Sequence, residues 1–242
     1  MPYYPYYFGF DWTYLLLLPC IILTIWASVR VNSTFKRYSG QLSTRRITGA
    51  QAAERILHSN GIRNVRVEQI AGNLTDHYDP RTNVIRLSDS VYASTSTAAI
   101  GVACHEAGHA VQYAENYGPI KLRTAIIPIT TFGSRLAIPL ILLGVLLSAF
   151  SGASNSLVYL GIACFALSLF FQLVTLPVEF NASRRALQAI EQSDILNDEE
   201  LKGAKKVLSA AAMTYVAAAA VSLAQLLRLI LLFGGRTRNN RR

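Results

Sequence analysis

Cysteine is scarce: three occur in 242 residues, and no two form a CxxC pair. Cys20 and Cys164 fall inside apolar runs and Cys104 stands alone beside His105, which excludes a disulfide framework. Charge is thin as well. Only 15% of residues are charged against 52% hydrophobic, a balance that fits a small domain fused to membrane spans better than one soluble domain. The net charge of +9 is not spread as a binding face, so nucleic acid is set aside as a partner. Residues 1–11 carry no Lys or Arg and no small-residue cleavage site follows Val29. The first apolar run therefore reads as a retained anchor rather than a cleaved signal peptide. Internal repeats and low-complexity tracts are also missing.

Apolar runs are what the chain has in quantity. Residues 12–29, 136–150 and 157–177 form runs of 18, 15 and 21 residues. The first and third are long enough to cross a hydrocarbon core of about 30 Å at about 1.5 Å per residue. The second becomes so by taking in TFGSR before it or the serines after Phe150. A fourth run, 210–233, is rich in Ala and contains Gln225 and Arg228; it either spans or lies at the interface. Eight Lys and Arg fall between Arg30 and Arg66, just after the first run. This positive-inside signal puts residues 30 to about 131 in the cytoplasm with the N-terminus outside. The tail GGRTRNNRR, with four arginines, belongs inside by the same rule, which favours an interfacial or tightly packed last helix.

The polar half carries local punctuation. VNSTFKRYSGQLSTRR is a basic linker lying against the anionic leaflet. Thr48 and Gln51 have capping-box spacing at the start of a helix that Gly61 stops, with His58 in its last turn as a cation near the C-terminus. VRVEQI, LTDHY and NVIRLS read as strands, the last two flanking the turn DPRTN, and predict a short antiparallel sheet. A helix follows, capped by Ser or Thr at 94–97 and stopped at Asn116, Gly118 and Pro119.

That helix contains HEAGH. His105 and His109, four residues apart, project from one face about a turn from each other, the separation that two ligands of a tetrahedral zinc need. Glu106 is rotated by about 100° from His105, so it reaches the rim of such a site as a general base for metal-activated water rather than as a ligand. With this chain's four His and eight Glu, about two chance HExxH matches per thousand such chains are expected. Two histidines and a glutamate among small apolar neighbours would also be costly without a metal.

A catalytic site needs a third protein ligand and leaves the fourth position open. Position 115 is Glu, so no third histidine follows six residues on. His77, Asp76, Asp79 and the downstream carboxylates remain. Glu179 stands out, because it follows the third apolar run directly, where a carboxylate is costly unless paired or bound to metal. The bland alternative pairs it with Arg184 or Arg185. A hairpin of the second and third spans, closed by SGASNS, returns Glu179 to the side of the histidines. Tyr78, Tyr113 and Tyr215 are each able to donate a hydrogen bond to a reacting oxygen.

The segments LTDHYDPRTNVIRLS, ACHEAGHAVQYA, LPVEFNASRRAL and GAKKVLSAAAMTYVAAA resemble the YugP-type family of bacterial membrane-bound neutral zinc metallopeptidases, over nearly the whole chain. More distantly, the chain is similar to HtpX and CAAX-type membrane proteases, which also insert two spans between HExxH and a glutamate. The resemblance implies a gluzincin-like site, with one zinc per chain on His105, His109 and Glu179 and with Glu106 as catalyst. Where those more distant relatives have an Asp four residues after the ligand Glu, this chain has Ser183. Asn181 or Ser183 stands in as support behind the ligands, and His77 is a further candidate for that role. In zincins a strand beside the active-site helix receives substrate as an added strand, and NVIRLS is placed for this.

The sequence thus predicts a mostly α integral membrane protein of three to four membrane helices with a small α+β zincin-like cytoplasmic catalytic domain. Its parts are an anchor (1–30), the catalytic domain (31–131), a two-span hairpin (132–177), a cytoplasmic helix with the third ligand (178–206), and an apolar helix with a basic tail (207–242). The expected function is a multi-pass zinc endopeptidase of the bacterial plasma membrane. It would act on peptides or membrane proteins at the cytoplasmic face, with the lipid bilayer as its other partner. A zinc-stabilised scaffold or chaperone is the alternative.

Overall fold

The computed structural model describes residues 11–151 and 155–234; residues 1–10, 152–154 in the SGASNS loop and the arginine-rich tail 235–242 lie outside the described residues. A 3-10 turn, Trp12–Leu16, leads into α1 (Leu18–Ser39). Then come α2 (Gly49–Ser59), β1 (Arg66–Ile70), β2 (His77–Asp79), β3 (Val84–Ser88) and α3 (Thr97–Ala114). Three long helices close the chain: α4 (Gly118–Ser151), α5 (Ser156–Gln192) and α6 (Asp198–Gly234). Helices α1, α4, α5 and α6 are long and apolar enough to cross a membrane, with mean hydropathies of 1.9 to 2.2 in their most apolar stretches. Their outward faces are bare hydrocarbon: Ile22 is 66% exposed, Phe132 68% and Leu142 65%, as a lipid-facing surface requires and a water-facing one would not sustain.

Local signals set the small elements. Thr48 and Gln51 form the reciprocal capping box of α2, and Ser96 caps α3 by accepting from the Ala99 amide at 3.2 Å. Asn116, at φ +59°, ends α3. Gly118 and Pro119 do not help to stop it as expected; they open α4, where proline costs nothing because the first turn's N–H groups have no helical partner.

The sheet differs from the expected antiparallel one. Its order is β1-β3-β2, with β3 antiparallel to β2 but parallel to β1. NVIRLS therefore lies in the middle, paired on both edges, and cannot accept a further strand. The burial pattern agrees, since Val84, Ile85 and Leu87 are all completely buried. β2 is the edge that faces α3.

The long helices ignore the hydropathy boundaries. α4 begins well before its apolar run, and α5 continues through Glu179 to Gln192, so the block 178–206 is not a single helix. Its second half, from Asp198, opens α6. α6 runs antiparallel along α1. Ala220 accepts from the Cys20 thiol at 3.6 Å, and near the far end Arg228 pairs with Asp11 at 2.7 Å and stacks on Tyr14 at 3.8 Å. That clasp satisfies the one arginine inside the fourth apolar run. The core sits between α2, β3 and α3 and the polar ends of α5 and α6.

Candidate metal centre

α3 is lined with small residues on its buried face, which lets other helices approach its backbone. Gly108 is the tightest point: a Cβ there would stand 2.7 Å from the carbonyl oxygen of Ala182 on α5. This contact brings Glu179, just under one turn before Ala182, against the histidines. The Glu179 Oε2 atom lies 3.3 Å from His105 Nε2 and 3.5 Å from His109 Nε2. The three donor atoms all lie within 4.8 Å of one another. Tetrahedral zinc with ligands at about 2.0–2.1 Å sets neighbouring donors about 3.3–3.4 Å apart, so the carboxylate stands at a ligand's distance from both rings.

Each group of the cluster is held from behind. The Ser183 hydroxyl lies 3.1 Å from His105 Nδ1, and Gln112 Oε1 lies 3.0 Å from His109 Nδ1. With both Nδ1–H groups donating, each Nε2 lone pair points to the shared centre, the tautomer that metal binding uses. Gln112 is fully buried and orders the other side too, donating to the Val178 carbonyl at 2.8 Å and to Asn181 Oδ1 at 2.9 Å. Arg185 holds Asn181 Oδ1 at 2.7 Å and pairs with Glu115 at 2.6 Å. Glu179 is 2% exposed, and its free oxygen, Oε1, accepts from Arg123 on α4 at 3.0 Å. Neither Arg184 nor Arg185 pairs with it.

Burial opposes charge on His109, but the Glu179 and Glu106 carboxylates outweigh it and raise the imidazole above its ordinary value. Burial also pushes Asp76 up. The Ser88 amide and hydroxyl resist this, and the Glu106 charge adds to it.

Glu106 is 8% exposed and borders two clefts. One, about 280 Å³, is polar and runs past β2 between His77, Arg81 and Arg123. The other, about 260 Å³, is lined mainly by apolar groups, among them Val31, Leu74, Leu208 and Ala211. His105, Glu106, Glu179 and Tyr215 border both clefts. All three tyrosines are engaged: Tyr78 donates to Asn83 Oδ1 at 3.1 Å, Tyr113 is bonded to the Thr124 hydroxyl, and the Tyr215 hydroxyl is hydrogen-bonded to Glu179.

Of the residues expected from sequence, the structure brings together His105, His109, Glu106 and Glu179, with Ser183 directly behind one ring and Asn181 one bond removed from the other. It does not bring in His77, an exposed residue of β2 whose Nδ1 bonds the Thr75 carbonyl at 2.9 Å. Asp76 and Asp79 are spent on Ser88 and on the β2–β3 turn. Gln112 and Arg123 were not expected. A glutamine three residues after His109 on an otherwise apolar helix face was a readable signal for the first; nothing in the sequence pointed to the second.

Four long apolar helices carrying a small mixed sheet and a buried two-histidine, one-glutamate cluster define a helical membrane protein with a candidate metal centre. The chain belongs to the neutral zinc metallopeptidases: residues 13–234 match the family described as "Putative neutral zinc metallopeptidase". It is 48% identical over 225 residues to the "Putative membrane protease YugP" of Bacillus subtilis (strain 168), covering 93% of this chain and 98% of that relative. No solved structure matches it.

Proposed function

We propose that this protein is a zinc endopeptidase of the bacterial plasma membrane, with one zinc held by His105, His109 and Glu179 and with Glu106 as the general base. The observation that carries the reading is the convergence of two imidazoles, each held at Nδ1, and one anchored carboxylate oxygen at ligand spacing, beside an unligated glutamate on the cleft rim. When bound there, zinc supplies Lewis acidity, acidifying water to a pKa of about 7 and polarising a carbonyl.

The chain's own residues do the rest. Glu106 takes the proton of the attacking water and returns it to the leaving amine. Tyr215, the tyrosine that borders both clefts, donates to the oxygen that gains charge. Arg123 and Gln112 hold Glu179 and His109 in place through the cycle. The free edge of β2 takes an extended substrate segment by main-chain pairing, in place of the β3 edge expected from sequence. The apolar cleft on the other side of Glu106 takes a hydrophobic side chain, so extended segments of membrane proteins are the substrate class. The basic cluster that follows the first apolar run supports a site at the cytoplasmic face.

The test is metal content and peptide hydrolysis of detergent-purified wild type beside Glu106→Gln and Glu179→Ala. One zinc per chain, kept in Glu106→Gln with loss of hydrolysis and weakened or lost in Glu179→Ala, is expected. A wild type without zinc, or Glu179→Ala with full zinc, refutes the ligand set. Unchanged hydrolysis in Glu106→Gln refutes its role as base. A protein that binds zinc but cleaves no extended peptide is a scaffold.

A further inference from the structure

The largest of these cavities lies away from the metal cluster. It measures about 500 Å³ and opens between α1 and α6. Arg30, Thr34, Arg37 and Tyr38 on α1 and Lys202, Lys205, Lys206 and Ser209 on α6 line it. The positions recur about one turn apart, at 30, 34 and 37/38 on α1 and at 202, 205/206 and 209 on α6, so each helix presents a single stripe to the same space. The lining holds five cations, three hydroxyls and no carboxylate. Lys202 pairs with the exposed Glu199 at 2.7 Å, and Lys206 lies within electrostatic reach of the same carboxylate. Arg30 rests over Trp26 at 5.0 Å, and Arg37 and Lys206 over Tyr38 at 5.7 and 6.0 Å. Five positive groups converge against one exposed carboxylate outside the lining, and the excess positive charge favours an anion.

Depth identifies which anion. Arg30 to Tyr38 follow the first apolar run directly, and Lys202 to Ser209 directly precede the fourth. The two helices are in register, because Gly203 packs on the ring of Tyr38 while Cys20 and Arg228 meet their partners further along the same seam. The cavity therefore lies where both helices leave the hydrocarbon, at the level of lipid phosphates. Below it on α1, Val29, Trp26 and Ile22 are 61%, 43% and 66% exposed, an apolar track for an acyl chain.

We infer that this cavity is a binding site for the headgroup of an anionic phospholipid, with the phosphate among the α1 and α6 cations and the hydroxyls of Thr34 and Ser209 as additional donors. A zwitterionic lipid brings an ammonium for which the lining has no acceptor carboxylate, so the site selects net negative charge. The site is separate from the metal cluster and does not rest on proteolysis.

Full-length protein in phosphatidylcholine nanodiscs, with and without phosphatidylglycerol, tests this by thermal unfolding and by native mass spectrometry of retained lipid. Phosphatidylglycerol is expected to raise the unfolding midpoint of the wild type and to be retained. The double variant Lys205→Gln/Lys206→Gln, altered only at exposed positions, should unfold like wild type in phosphatidylcholine yet lose retention by roughly 30-fold, at about fivefold per cation. Lys36→Gln removes one charge at the same juxtamembrane end of α1, outside the cavity, and should retain the lipid as wild type does, where loss of one cavity cation costs about fivefold. Equal loss in Lys36→Gln would reduce the effect to general surface charge and overturn the site. So would no preference for phosphatidylglycerol over phosphatidylcholine, or an equal midpoint shift from inorganic phosphate alone.

Discussion

Replacing Gly108 by alanine adds one methyl group at the point where α3 and α5 touch. Its carbon would stand 2.7 Å from the Ala182 oxygen, 3.3 Å from its carbonyl carbon and 3.4 Å from its Cα. All three are backbone atoms, so no side chain can swing away; the helices must part until the closest contact reaches the ordinary 3.4 Å or so. The opening is 3.4 minus 2.7, about 0.7 Å. The candidate ligands sit on opposite sides of that contact, and metal–ligand distances tolerate only about 0.2 Å. Overpacking of this kind costs about 1–3 kcal/mol, which converts to zinc affinity weakened roughly 5- to 150-fold. Competition with a chromogenic chelator reads this directly on purified protein, with circular dichroism to show that the helices persist. Gly118→Ala, where an added Cβ meets nothing within 4 Å, is the matched control. A Gly108→Ala protein whose zinc affinity stays within twofold of wild type would refute the argument that this contact sets the ligand spacing.

Two further expectations concern single side chains. Gln112→Leu leaves His109 Nδ1–H without its acceptor and should weaken zinc binding by about 10- to 100-fold. Ser183→Ala should cost less, because the His105 ring is 14% exposed and water can replace the hydroxyl; equilibrium dialysis compares the two. Asp79 is held down to about 2, below its ordinary 3.8, first by the Thr82 hydroxyl, then by the Arg81 amide and by Arg86. A carboxyl lowered on folding stabilises above its unfolded value and loses that contribution as pH falls through its folded value. The midpoint advantage of wild type over Asp79→Asn should therefore hold above pH 4 and shrink toward pH 2 in thermal scans. A gap that is constant with pH would speak against the charged form.

The sequence exposed what depends on local chemistry. The capping box at Thr48, the Ser96 cap, the pairing of His105 with His109 and the cost of Glu179 at an apolar boundary are all readable from residue type and spacing. What escaped it depends on distant partners. β1 and β3 pair in parallel even though β2 lies between them in the chain, and no side-chain alternation encodes that order, although the apolar residues Val84, Ile85 and Leu87 mark a central strand. Hydropathy gave helix ends that the backbone does not share, because α5 keeps its hydrogen bonding after leaving the apolar run. Gln112 is legible as a polar residue behind His109, but its partners Val178 and Asn181 lie 66 and 69 residues further on. Arg123 reaches Glu179 from 56 residues away, beyond any periodic signal.

The distance along the chain between His109 and Glu179 has a bearing on biosynthesis. The two are 179 minus 109, or 70, positions apart, and the whole α4–α5 hairpin intervenes. At a synthesis rate of about 5–20 residues per second, roughly 4 to 14 s pass between the emergence of the histidines and that of the glutamate. Even then the carboxylate cannot meet them until the hairpin has folded back on itself. A nascent chain thus carries only two of its three candidate ligands. Completion of the centre is tied to completion of the hairpin, which keeps the unfinished polypeptide chemically silent while its own segments are still extended and exposed.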